Sequence, residues 1–260
     1  MTNSTIEYRS QPSEVSMGDQ YYDLADLNHF WVHHRFRTFR RISRRLSIIK
    51  HGSRVADIGC GHGVLQLQLE NSFGLLIDGY DLNHAALINS AASTHPTIFY
   101  DINERHADLK GVYDVIFLFD VIEHLADPTF FLDSVQYHLK PDGFLVVNVP
   151  AEQWLFSRYD KVMGHFRRYT RKSLNNTLKA SGFKPLVCSY WGSVYIPLLL
   201  SRKFLLSVQP ARSDAEIINS GFKPPSQTVN SIISFLSRFD PFPNYIAGSS
   251  LMGVYVNEKS

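Results

Sequence analysis

At 260 residues, 44% of them hydrophobic, the chain is long enough to bury one full core with some embellishment. Its 26 Lys and Arg against 24 Asp and Glu leave a net charge of +2, so no global basic field calls for nucleic acid or a membrane. Cys60 and Cys188 cannot build a disulfide framework and the polar residues 1–16 lack the apolar run of a signal peptide, so a reducing cytoplasm is the expected setting.

Residues 21–49 are first aromatic and then basic. Tyr21, Tyr22, His29, Phe30 and Trp31 precede Arg35, Arg37, Arg40, Arg41, Arg44 and Arg45. Phe36, Phe39, Ile42 and Leu46 recur near helical spacing, which predicts a helix with a basic face. A solvated face is the plain reading, and contact with phosphate of nucleic acid or of an anionic lipid is the other.

Residues 54–67 are the stretch around which the chain is organised. Val55, Ala56 and Ile58 predict a strand, and Val64, Leu65, Leu67 and Leu69 open a helix, so Gly59, Gly61 and Gly63 form the turn between them. Glycine permits positive φ and has no Cβ to keep a ligand off the backbone. A dinucleotide fingerprint would need Gly-x-Gly-x-x-Gly and would carry a pyrophosphate on the helix N-terminus. Here Val64 holds the last glycine position, and Asp57 would repel a pyrophosphate while attracting an ammonium and a sulfonium. The segment resembles the first motif of class I methyltransferases that use S-adenosylmethionine (SAM), acidic-x-Gly-x-Gly-x-Gly, which Asp57, Gly59, Gly61 and Gly63 match position for position. The aromatic cluster with Trp31 is similar to the N-terminal lid of small-molecule members.

The next predicted strand ends on Asp81, about two dozen residues after Asp57, where this architecture puts a carboxylate for the two ribose hydroxyls. Leu82 would pack on the adenine and a helix over 85–92 follows. Asp78 is the competing acid, and a helix cap is the other reading of Asp81. Predicted strands at 97–100 and 113–119 run into Asp101 and Asp120, as strands buried on both faces do when their C-terminal edge carries the site. The resemblance assigns Asp101 and Ile102 to the adenine, with loop capping the alternative for Asp101, and adds Cys60, Phe119 and Asp120 to the cofactor set.

Residues 120–150, opening Asp120-Val-Ile-Glu-His, carry the most specific resemblance, to methyltransferases related to ubiquinone-type and glycolipid-pathway enzymes. Pro128 predicts a helix start, Lys140-Pro-Asp-Gly a turn and 144–149 a buried strand. No Asn/Asp-Pro-Pro-Tyr run stands after the strand ending at Phe119, which argues against methylation of an adenine or cytosine amine. Glu123 and His124 read as shaping the cofactor pocket, with His124 a second candidate for acid–base work. Some relatives with Glu-x-x-Glu-His bind magnesium. Here Asp120 holds the first position and local spacing supplies no further histidine, so no metal is expected.

Beyond the strand at 144–149, Gly-His-x-Arg-Arg-Tyr-Thr resembles a motif of polysaccharide- and lipid-associated members. It implies His165 as general base for a hydroxyl and Arg167 or Arg168 as ligand of an anionic group. Trp31, Trp154 and Tyr169 complete the substrate side, and a loop pinned by its own polar side chains is the alternative. Thr170 predicts the N-cap of a helix ending at Ala180, before Gly182. A strand at 185–191 and a last, antiparallel strand at 251–256 flank an insertion. Its apolar helical patterns at 195–208 and 232–239, joined by a loop over 209–227, are too short to span about 30 Å of hydrocarbon and read as a substrate lid or a membrane-surface element.

The expected fold is α/β: a Rossmann-like, mainly parallel sheet of seven strands with helices on both faces and an antiparallel last strand. Residues 1–50 form a helical lid, separable from the sheet, and 51–191 the SAM-binding core; 192–250 form a helical cap and 251–260 the final strand. The expected function is methyl transfer from SAM to a small-molecule hydroxyl. A non-catalytic SAM-binding partner subunit and an RNA methyltransferase using the basic helix are the alternatives. Nucleic acid is otherwise not an expected partner, and peripheral membrane contact and oligomeric state stay open.

Overall fold

Strands whose side chains are apolar on both faces need cover on both, and alternate residues of the central strands find it in two helical layers. The computed structural model describes residues 6–11, 29–91, 97–209, 212–222 and 226–258. Strands β1 (Ile6–Tyr8), β2 (Val55–Ile58), β3 (Ile77–Asp81), β4 (Thr97–Phe99), β5 (Tyr113–Phe119), β6 (Leu139–Pro150), β7 (Phe183–Trp191) and β8 (Ser250–Asn257) form one sheet, in the order β1-β4-β3-β2-β5-β6-β8-β7. Neighbours are parallel except that β8 runs antiparallel between β6 and β7. The sheet has eight strands where seven were expected, because residues 6–8 add an edge strand beside β4. A three-residue edge strand paired through its backbone leaves little side-chain pattern to read.

Ala56, Ile58, Ile116, Leu118, Leu145 and Val147 face one layer, which holds α4 (Thr129–His138) and α6 (Arg171–Ala180). Val55, Val115, Phe117, Val146 and Val254 face the other, which holds α1 (Phe30–Leu46) and α2 (Val64–Phe73). Phe39 and Ile42 of α1 are almost wholly buried, with the Phe39 ring edge-on to Phe117 at 5.0 Å. This corrects the separable lid: α1 is a layer of the core, and each such side chain contributes roughly 1.5–3 kcal/mol by its burial. The helix begins at Phe30, and the expected start at Tyr21 and Tyr22 lies outside the described residues; α3 (His84–Ile88) stops short of the expected residue 92, with Asn89 as its C-cap.

Two local differences have simple causes. The expected turn at 140–143 is a bulge within β6: Tyr113 pairs with Leu139 and Val115 with Phe144, and Asp142 takes the left-handed φ of 58° that the excursion needs. The loop expected over 209–227 contains α8 (Asp214–Phe222) between α7 (Ile196–Val208) and α9 (Gln227–Leu236), with residues 210–211 and 223–225 outside the described set. Leu206 of α7 and Ile217 of α8 pack on Tyr159 of α5 (Arg158–Val162) and on Met163 just after it. Asn230 of α9 accepts from Phe30 N at 2.9 Å, docking α9 on α1.

Candidate active site

From β2 the chain runs outward through β3, while β5 leads the other way to β6, so the C-terminal ends of β2 and β5 border the crevice of an open α/β sheet. The glycine turn lies on that edge, with φ of 77° at Gly59, 51° at Gly61 and 67° at Gly63. A Cβ on Gly59 would stand 2.6 Å from Val121 Cγ2, so the position needs glycine for space as well as for φ. Gly63 caps α2, whose first turn carries no acidic side chain.

Asp57 and Asp81 stand at this turn, while Asp78 lies inside β3 and Asp101 follows β4. Burial pushes the Asp57 carboxyl up to about 7, with Arg35 opposing the rise and Asp81 adding to it. Asp81 ends β3 and anchors the turn, accepting from Gly61 N at 2.7 Å and from Asn83 N at 2.8 Å. The cap of α3 is Asn83, whose side chain accepts from Ala86 N, so Asp81 is not the helix cap. Asp78 is engaged by Arg54 at 3.1 Å and by the Tyr113 hydroxyl at 2.7 Å. Asp101 accepts from Asn103 N at 2.9 Å and so caps a short 3-10 turn. Ile102 is buried with Tyr100 and Leu109 in the core, whereas Leu82 and Cys60 pack together with Leu87 and Phe99 beside the turn.

Asp120 closes β5 with φ of 59° and meets Arg35, which donates to it from Nη1 at 2.8 Å. The Arg35 guanidinium lies 4.7 Å from the Trp31 ring and 5.0 Å from the Phe119 ring. Asn148 donates to the other Asp120 oxygen at 2.9 Å and accepts from Trp191 Nε1 at 2.9 Å. Trp31 and Phe119 therefore fix an ion pair at the crevice. Sequence reading missed Arg35 as a site residue, although it follows Trp31 by four positions and precedes Ile42 by seven, on the buried stripe of α1.

One turn beyond Asp120, Glu123 is fully buried and neither of its carboxyl oxygens has a hydrogen-bond partner. Burial first and Asp120 second push its carboxyl well above the carboxylate range. The His124 ring stands edge-on to His165 with centroids 4.8 Å apart, and burial, then His165, lowers its imidazole to about 4. His165 Nδ1 lies 3.1 Å from Asp160 Oδ1, which also accepts from Arg168 Nε at 2.7 Å. Burial alone would raise the Asp160 carboxyl, but His165 and Arg168 hold it at about 2. An ionised Asp160 can only accept, so Nδ1 is the donor in this contact, and in a neutral ring Nε2 is the nitrogen with the lone pair. Sequence reading missed Asp160 as well; its signal is the capping box with Ser157 at the start of α5.

The arginines after His165 need correction. The Arg168 side chain is buried and donates to Asp160 and, at 3.2 Å, to Ala151 O. Arg167 donates to Leu125 O at 3.0 Å and also to Ala126 O. Tyr169 is buried and donates to Ile122 O at 3.3 Å. All three pin the loop to the sheet edge, and Arg167 alone keeps part of its side chain exposed. Trp154 remains half exposed on the loop after β6, its Nε1 donating to Glu152 at 2.7 Å. Glu123, His124 and His165 each offer a metal-ligand atom, all within 4.8 Å of one another. The histidine that local spacing could not supply comes from the loop after β6.

Residues 31–188 match the model of a methyltransferase domain. The chain belongs to that family. Its fold is that of the class I SAM-dependent methyltransferases, and phosphoethanolamine N-methyltransferase 2 of Haemonchus contortus, solved with SAM, is similar to it. That structure aligns at a TM-score of 0.57 and 17% identity, over 86% of this chain and 52% of the other. The [4+2]-cyclase SpnF aligns at 0.54 and 15% identity, over 80% of this chain and 76% of the other, so the fold alone does not fix a reaction. In sequence, the ubiquinone biosynthesis O-methyltransferase of Nitrobacter winogradskyi is 33% identical over 122 residues, 45% of this chain and 46% of that protein. The chain thus spans about half the length of the curated relatives it matches. The methyltransferase domain match ends before the insertion of α7, α8 and α9.

Proposed function

We propose that the protein transfers the methyl group of SAM to a hydroxyl of a small molecule, with His165 as general base. The observation that carries this is the His165 ring held by ionised Asp160 at the crevice edge. Bound SAM supplies an electrophilic methyl on a sulfonium. Asp57 would favour the cationic amino-acid end, Asp81 would accept from the ribose hydroxyls, and the free Asp101 oxygen would accept from the adenine amine. His165 Nε2 would take the hydroxyl proton as the C–O bond forms and the C–S bond breaks. The aromatic Trp154 and the cap of α7 and α8 would exclude water and orient the acceptor. Incubation with methyl-labelled SAM, a small-molecule extract and total RNA tests the reading. Label should enter a small molecule as an O-methyl group; label in RNA, or in nothing, overturns it.

Two predictions concern the cofactor. Asp81→Ala should weaken SAM binding by about 1–3 kcal/mol, because buried hydroxyls lose a charged acceptor and Gly61 N loses its anchor. Calorimetry measures this, and unchanged affinity would mean that the ribose is held elsewhere. The second is a pH effect. With its carboxyl titrating at about 7 in the free protein, Asp57 must lose a proton before it can pair with a cation. SAM affinity should therefore rise roughly tenfold from pH 6 to pH 7.5 and release about one proton near pH 6. The sign is opposite for the free fold: a raised carboxyl contributes stability below its unfolded value, near 4, and loses it as pH climbs through 7. Asp57→Asn should flatten the pH dependence of binding, and a flat wild-type profile would remove Asp57 from the charge balance.

The unpartnered, buried Glu123 favours a second reading, in which Glu123, His124 and His165 hold a divalent cation that binds the acceptor oxygen. Two imidazoles and one carboxylate are a fitting donor set, and ligation would remove the cost of the orphaned oxygens. Calorimetric titration of the protein with magnesium and with zinc separates the readings. Binding lost in Glu123→Gln supports the cation, and no heat leaves His165 as a base.

A further inference from the structure

We propose that the outer face of α9, together with the arginine row of α1, docks the protein on an anionic lipid bilayer. Val229, Ile232, Leu236 and Phe239 recur at three- and four-residue spacing along α9 and the turn after it, and all are exposed, Ile232 by 54% and Phe239 by 71%. Ile233, the residue after Ile232, packs against the core, and Ser237 just beyond α9 accepts from Arg37 at 2.7 Å. The apolar row is therefore an outer surface and not a misassigned core. Leu198, Phe204, Leu205 and Val208 of α7 are exposed as well.

The chemistry where α9 meets α1 is cationic. Arg37, Arg40, Arg41 and Arg44 fall on one face of α1 and line a cleft of about 510 Å³ with His33, Phe36 and Ser234 of α9. None of the four forms an ion pair among the described residues. Burial above all, with Arg41 and Arg238 nearby, works against the charge on Arg37, and Tyr195 and Asp240 offset this in part. Arg41 and Arg45 also lie over the Phe242 ring, at 5.8 and 5.1 Å. Branched aliphatic side chains bordering guanidinium groups suit acyl chains bordering phosphates. No helix of the described residues is long and apolar enough to cross a membrane, so contact would be in the plane of the surface. This inference does not depend on which acceptor is methylated.

Co-sedimentation of the whole protein with vesicles of phosphatidylcholine, with and without phosphatidylglycerol, tests it. Binding should require the anionic lipid. It should fall on the order of a hundredfold in the triple variant Arg40→Ala, Arg41→Ala, Arg44→Ala, at about fivefold per arginine near such a surface. Ile232→Asp and Phe239→Asp should each weaken binding at unchanged melting temperature, since both side chains are exposed. Equal binding to neutral vesicles, or anionic binding untouched by these variants, overturns the proposal. So does tight, salt-dependent binding of RNA by the same arginines without vesicle binding. A concentration-dependent dimer that Ile232→Asp dissolves would make the face a contact between copies and would overturn it too.

Discussion

His165→Ala should lower kcat by about 10²–10⁴-fold while SAM affinity and melting temperature stay near wild type. The ring is the outermost member of a chain that runs from Arg168 through Asp160, and its removal leaves Asp160 with Arg168 Nε and Ser157 N, both within hydrogen-bond distance. The loop should therefore keep its shape. What is lost is the group that takes the hydroxyl proton, for which His124 is a poor substitute: its imidazole stands edge-on to His165 and is lowered to about 4 by burial, then by His165. Single-turnover kinetics with labelled SAM separate the chemical step from binding. A rate within threefold of wild type would mean an acceptor nucleophilic enough to need no base. A joint collapse of rate and melting temperature would make His165 a structural residue.

Arg168→Met should destabilise the fold by about 3–5 kcal/mol, because removing one partner of a buried pair leaves the other charge uncompensated. Asp160 is wholly buried, and Arg168 supplies the 2.7 Å contact from a side chain only 4% exposed. For a chain of this size that should lower the melting temperature by roughly 10 °C. The pH dependence carries a sign. The Asp160 carboxyl is held at about 2 in the fold, so the stability it contributes is present above its unfolded value, near 4, and is lost as pH falls toward 2. The difference between variant and wild type should therefore narrow in acid. Urea unfolding at neutral and acid pH measures it. Pairing the change with Asp160→Leu should recover much of the loss, since apolar replacements for a whole buried pair are often neutral. A cost under 1 kcal/mol at neutral pH would show that Asp160 finds other donors.

Local pattern made several elements readable before any coordinates. The apolar run before Asp57, the spaced glycines and the periodicity after Val64 are one strand, one turn and one helix within ten residues of each other. Their conformations are set by φ limits and side-chain period. The capping signal at Thr170 and the aspartates closing β3 and β5 are equally local. The edge strand at residues 6–8 was not legible, because three residues held by backbone hydrogen bonds impose no side-chain pattern. Nor was α8, nine residues hidden in a stretch read as a loop.

By itself the sequence determined the central strands and the helices with a clear period or cap, that acidic groups stand at the strand ends, and that the turn after Asp57 keeps its backbone open. Only the tertiary structure decided the use of each charged side chain. Arg35, Arg40 and Arg168 look alike in sequence, yet one clamps Asp120, one stands exposed and one neutralises buried Asp160. Glu123 and His165 lie 42 positions apart and share one cluster. The physical reason is range: φ preferences, caps and periodicity act over a few residues, whereas burial and ion pairing depend on what other segments bring, and neither spacing nor composition specifies those neighbours.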